Sequence, residues 1–143
     1  MSLTDTQKTI VQTTFAQVTD TDALAARFYA RLFEIDPSTR PLFKGDMAVQ
    51  RQQLIQMLSV VVNALDHIEQ IVPAIQQLGQ RHATYGVTIA HWDSVGEALI
   101  WTLAETFGEA FTDDVAIAWT VAYALIAQTA IAASYPAAHS SSE

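Results

Sequence analysis

Apolar residues recur along this chain at intervals of three and four, the spacing that gathers side chains on one face of an α-helix. The first stripe, Val11, Phe15 and Val18, follows Thr4-Asp5-Thr6-Gln7, which reads as a capping box, so a helix is expected to open there. Asp20 or Asp22 is placed to cap a second helix with the stripe Leu24, Phe28, Leu32 and Ile35. Tyr29 lies beside that stripe, facing the same way as Ala25, Leu32 and Phe33. Its hydroxyl either reaches water at the boundary or points into a pocket, and periodicity does not choose. The stretch Asp36-Pro37-Ser38-Thr39-Arg40-Pro41-Leu42-Phe43 excludes a long regular helix, because Pro37 and Pro41 each lack an N–H. Pro37 suits the first turn of a short helix, and Phe43 reads most simply as a hydrophobic plug under a loop. Lys44-Gly45-Asp46 then breaks the chain.

A long helix is expected from about Met47 to Leu65, with Leu54, Met57, Leu58, Val61, Val62 and Leu65 as its apolar face. Gln50 stacks one turn before Leu54, either as a solvated helix end or as a hydrogen-bond donor to a ligand; Gln52 and Gln53 compete for that role. His67 reads as surface. Pro73 is expected in the first turn of a helix carrying Ile75, Leu78 and His82, ended by Gly86 in a left-handed conformation. Ser94-Val95-Gly96-Glu97 reads as a further capping box, opening a helix with Val95, Leu99, Leu103 and Phe107 inward and Gly108 at its end. Thr112 or Asp113 caps a last helix that Pro136 stops. No strand, repeat or linker pattern is visible. The expectation is an all-α domain over residues 1–136, with a disordered tail at 137–143.

Composition narrows the chemistry. The 143 residues suffice for one domain with a real core, and half of them are hydrophobic. With no cysteine there is no disulfide, thiolate metal site, iron–sulfur cluster or cysteine nucleophile. The N-terminus lacks a basic region followed by an apolar run, so no secretory signal is expected and the cytoplasm is the expected compartment. The net charge is −8, and all seven Lys and Arg lie at or before Arg81. An acidic chain without a basic patch does not suit nucleic acid. Val115 to Tyr135 is uncharged and long enough to cross a bilayer. It is Ala-rich, contains Thr120, Gln128, Thr129 and Ser134, and has no flanking Lys or Arg, so a helix buried in protein is expected instead.

His82 is the first candidate for chemistry. It continues the apolar stripe of Ile75 and Leu78, and a neutral imidazole facing an apolar space is either a hydrogen-bonded core residue or a haem ligand. The surrounding motifs decide between these. Phe28-Tyr29-x-x-Leu32-Phe33, Pro37-x-x-Arg40-Pro41-Leu42-Phe43, Leu78-Gly79-x-Arg81-His82-x-x-Tyr85-Gly86-Val87 and Ala118-Trp119-x-x-Ala122-Tyr123 occur in that order. Together they resemble a globin of the bacterial single-domain and flavohaemoglobin branch, over about residues 4–135.

The resemblance implies a globin fold, an eight-helix or near-eight-helix sandwich around a b-type haem. His82 would be the protein ligand to iron. Phe43 would wedge the ring, and Leu54, Leu78, Val87, Val95, Leu99 and Ile126 would line it. Lys44, Arg51 and Arg81 are the cations available for the propionates. Tyr29 and Gln50 match the distal donors, which stabilise bound dioxygen more than carbon monoxide. A hydrogen bond to a partly charged acceptor contributes about 1.5–3 kcal/mol, slowing dioxygen release roughly ten- to a hundred-fold.

Two departures bear on activity. Flavohaemoglobins support the proximal histidine with a tyrosine and a glutamate, where this chain has Trp92 and Ser134. Tyr85 or a backbone carbonyl is then left to orient the imidazole. No flavin and nicotinamide reductase domain is expected in 143 residues. The implied function is reversible, tight dioxygen binding for storage, delivery or scavenging. The alternative is a nitric oxide dioxygenase or weak peroxidase served by a separate reductase. A signalling globin is the third reading, disfavoured because the chain has no room for an output domain.

Overall fold

A computed structural model describes residues 3–134, which form six α-helices, three short 3₁₀ segments and no strand. The helices are α1 (Asp5–Ala16), α2 (Thr21–Ile35), α3 (Met47–Asn63), α4 (Ile68–Thr84), α5 (Ile89–Phe107) and α6 (Asp113–Ser134). The 3₁₀ turns are Pro37–Leu42, Leu65–His67 and Gly108–Ala110. Pro136 and the expected tail lie outside the described residues.

Local chemistry sets most boundaries. Thr4 and Gln7 exchange the two bonds of a capping box at the start of α1. Asp20, rather than Asp22, accepts the Ala23 N–H to open α2. Thr112 caps α6 through the Val115 N–H. Pro37 enters a 3₁₀ turn at its first residue, and the second proline keeps the segment short.

Two helix starts differ from the pattern. α4 begins at Ile68, so Pro73 lies inside it and not in its first turn. The 3₁₀ turn Leu65–His67 feeds straight into the helix, and the carbonyl that Pro73 leaves unpaired belongs to exposed Glu69. α5 begins at Ile89, because Thr88 and His91 make the capping box: Thr88 Oγ1 accepts the His91 N–H and His91 Nδ1 accepts the Thr88 N–H. Histidine here plays the part usually given to glutamate or glutamine. Ser94 therefore sits in the second turn, and its hydroxyl serves another purpose.

α4 packs along α6 and α2 along α5, with α1 on α6 and α3 on α2. The two helices carrying Gln50 and His82 thus lean on different partners. α6 is long and apolar enough to cross a membrane, yet Ala118, Trp119, Ala122, Ala127 and Ala130 are buried against neighbouring helices. Trp119 ties it to α1 by donating its indole N–H to Thr14 Oγ1 at 2.9 Å. Where α4 meets α6, a Cβ on Gly79 would lie 2.4 Å from the Ala130 carbonyl oxygen and from Ser134 Oγ. Only glycine permits that approach.

Candidate functional site

His82 stands in the last turn of α4, half-buried on the face shared with Ile75 and Leu78. Its Nδ1 is 2.7 Å from the Leu78 carbonyl oxygen, one turn earlier. A carbonyl only accepts, so Nδ1 carries the proton and Nε2 keeps its lone pair. Burial holds the imidazole below the usual histidine range and so neutral, and the nearby Arg81 charge acts in the same direction. The backbone just beyond is fixed by Gly86 at φ 98°, with Val87 N–H donating to the His82 carbonyl and Gly86 N–H to that of Ala83. This pair of bonds is a Schellman cap, and the positive φ explains the glycine.

The Trp92 ring lies beside the imidazole, centroids 5.6 Å apart and tilted by 38°. Tyr123 pins that part of α5 by donating its hydroxyl to the Trp92 carbonyl at 2.6 Å. Ser134 donates to the Ala130 carbonyl within α6. Tyr85 is 68% exposed, so the Leu78 carbonyl and not this phenol orients His82.

Tyr29 is buried, and its hydroxyl points inward rather than to water. It donates to the backbone carbonyl of Gln50 at 3.3 Å, a long bond that a better acceptor would displace. Burial pushes the phenol up to about 12, which keeps it protonated at neutral pH. Tyr29 meets Phe43 edge-on at 5.1 Å and stacks on Phe33 at 6.0 Å. Phe33 also touches Phe43 at 5.6 Å and lies under the Arg40 guanidinium. Phe43 is therefore more than a plug under a loop. Phe33, four residues beyond Tyr29 on the same face of α2, completes this aromatic cluster, and that spacing is its signal in the sequence.

Leu54, Leu78, Val87, Val95 and Ile126 are half-buried and Leu99 is buried. Leu99 and Ile126 share an apolar cavity of about 40 Å³ with Val61, Val62 and Trp119. The cations are dispersed. Arg51 donates to Asp22 at 2.8 Å, Arg81 lies with Gln77, Gln80 and Thr84 in an open groove on the outer side of α4, and Lys44 is exposed at the corner. The structure does not bring these three into one anion site. Among the described residues no group of three or more His, Asp or Glu is placed to hold a metal ion.

Comparison with known proteins agrees with the geometry. The family profile described as Globin matches residues 26–130. A flavohaemoprotein of Chromobacterium violaceum is 32% identical over 112 residues, and that of Bacillus subtilis 29% over 113. These alignments cover 76% and 77% of this chain but only 28% of either relative's length. Among solved structures, an engineered carbene transferase, described as a candidate nitric oxide dioxygenase from Rhodothermus marinus, has a TM-score of 0.83 at 26% identity, covering 99% of this chain and all of that one. The carbonmonoxy haemoglobin of Mustelus griseus has a TM-score of 0.75 at 17% identity, covering 90% of this chain and 98% of its own, a likeness of fold. The profile match spans most of the chain, the helices superpose, and the chain belongs to the globin family.

Proposed function

We propose that this globin holds a b-type haem through His82 and binds dioxygen reversibly and tightly beside Tyr29. Haem-based ligand binding follows from membership of the family. The finer reading rests on one observation above the others: the 2.7 Å contact that commits His82 Nδ1 to Leu78 leaves Nε2 a lone pair on a neutral, half-buried ring. The residues fit the group. A haem needs a neutral nitrogen donor and apolar walls, and the half-buried Leu54, Leu78, Val87, Val95 and Ile126 keep apolar surface that a flat ring would cover.

When bound, haem supplies an iron that takes up diatomic gases. The chain does the rest. His82 gives the donor nitrogen and Leu78 sets its orientation. Tyr29 holds a proton on its hydroxyl and, with haem and a partly negative ligand in place, would donate to that ligand instead of the Gln50 carbonyl. Phe43 packs against Tyr29 and would bear on the ring, and the apolar walls exclude water. The Gln50 side chain is a second candidate donor at the start of α3. Lys44, Arg51 and Arg81 remain candidates for the propionates, with Arg51 first having to leave Asp22.

A second reading, nitric oxide dioxygenase turnover with a separate reductase, draws support from the Rhodothermus marinus neighbour and the flavohaemoprotein relatives. A neutral carbonyl behind His82 is a weaker electron donor to the imidazole than a carboxylate, which favours holding oxygen over activating it. Absorption spectra of the purified protein test the first reading: a Soret band in wild type, lost in His82→Ala, is expected. A chain without that band, and not reconstituted by haemin, ends the haem reading. Sustained NADH-dependent nitric oxide consumption with an added reductase would move the assignment to the second.

A further inference from the structure

The corner that carries Phe43 and the helix start that carries Trp92 meet at Asp36. The N–H of Asp36 ends α2 by donating to the Leu32 carbonyl at 2.9 Å. Its carboxylate then opens the next turn, accepting the Ser38 N–H at 3.2 Å and the Ser38 hydroxyl. The second carboxylate oxygen reaches out of this local cap and accepts the Ser94 hydroxyl of α5 at 2.7 Å, across 58 residues of sequence. The Asp36 carbonyl accepts the hydroxyl of buried Thr39 at 2.7 Å. The Ser38 and Ser94 hydroxyls hold the carboxyl below its usual range.

A second arm runs through His91, whose Nε2 is 3.0 Å from Ser38 Oγ. Its Nδ1 accepts the Thr88 N–H, so the proton sits on Nε2 and is donated to Ser38, which donates in turn to Asp36. His91 is therefore no base toward Ser38, and the cluster carries no nucleophile. Its consequence is mechanical. Ser94 lies two residues beyond Trp92, the ring beside His82, while the Pro37–Leu42 turn connects Asp36 directly to Phe43, the ring against Tyr29.

We propose that Asp36 is a positioning residue that couples the Tyr29–Phe43 side of the site to the His82–Trp92 side, with Ser94 and His91 of α5 as its anchors. The consequence for a bound ligand rests on the haem reading; the latch itself is a property of the chain. Ser94→Ala removes the reaching hydroxyl and leaves the local cap intact, and Ser94→Thr restores the hydroxyl. Hydrogen exchange is read on the full chain, with and without haem. Ser94→Ala is expected to speed exchange of the Thr39 and Phe43 amides by about threefold to tenfold, with Ser94→Thr returning it to wild type. In the haem-loaded protein the iron–histidine stretching band is expected to shift in Ser94→Ala and to return in Ser94→Thr. Unchanged exchange in Ser94→Ala, or an effect that Ser94→Thr does not reverse, overturns the latch. Altered exchange with an unmoved band overturns the coupling to His82. A wild type that takes up no haem refutes the haem reading instead, and exchange in the haem-free chain still decides the latch.

Discussion

Tyr29 and His82 are the two residues whose environment decides what they do. Neither is charged at neutral pH, and in both burial is the largest cause. For Tyr29 this makes the phenol a proton donor with only a long bond to give up. Tyr29→Phe keeps the ring contacts with Phe33 and Phe43 and removes the donor. The dioxygen dissociation rate of the haem-loaded protein, followed by stopped-flow, is expected to rise roughly ten- to a hundred-fold. A change within about twofold would sink the distal assignment. Tyr29 lay at the edge of its stripe in the sequence, where an inward and an outward hydroxyl look alike. The choice came from α3, which brings the Gln50 carbonyl to the Tyr29 hydroxyl.

At the scale of elements, the approach of α4 to α6 depends on one glycine. Gly79 lies one turn before His82, and its missing side chain lets α6 approach. Gly79→Ala would ordinarily favour a helix, by up to about 1 kcal/mol. Here the added methyl meets backbone as well as Ser134 Oγ, so α4 and α6 must part. A net loss of about 2 kcal/mol is expected, roughly 6 °C in Tm by calorimetry, together with weaker haem retention. An unchanged Tm would show that the two helices slide apart without cost. The sequence pattern found α4 by its apolar stripe and its Gly86 cap but misplaced its start, because Pro73 resembles a first-turn residue when the preceding 3₁₀ turn is unknown. The start of α5 was missed for a related reason: the reciprocal cap uses His91, a residue rarely sought in that role.

Across the whole molecule, the same two groups set opposite pH limits on stability. The folded-state pKa of His82 lies below its unfolded value, so its contribution is present above pH ~6.5 and is lost as pH falls through the lower folded value. The folded-state pKa of Tyr29 lies above its unfolded value, so its contribution is present below pH ~10 and is lost as pH rises toward about 12. Tyr123, also raised by burial, extends the alkaline limb. In the haem-free protein, the Tm advantage of wild type over Tyr29→Phe is expected to shrink between pH ~10 and ~12, and that over His82→Gln to shrink below pH ~6.5. A constant difference across either window would show that the group titrates alike in both states.

The sequence by itself determined that the chain is helical, several helix ends such as the Thr4–Gln7 box and the Gly86 cap, and the family. Those depend on periodicity, on residues within a turn of each other and on motifs in a fixed order, all local properties that one chain displays directly. Its −8 charge and missing cysteines likewise excluded whole chemistries without any coordinates. What the key side chains meet was decided only in three dimensions: the Leu78 carbonyl as the partner of His82 in place of Tyr85, the Gln50 carbonyl accepting the Tyr29 hydroxyl, the aromatic contact of Phe33 with Phe43, and the Asp36–Ser94 bond. Each depends on how far two rigid elements stand apart and which way they face. That distance is a balance of packing over the whole core, and no stretch of sequence contains it.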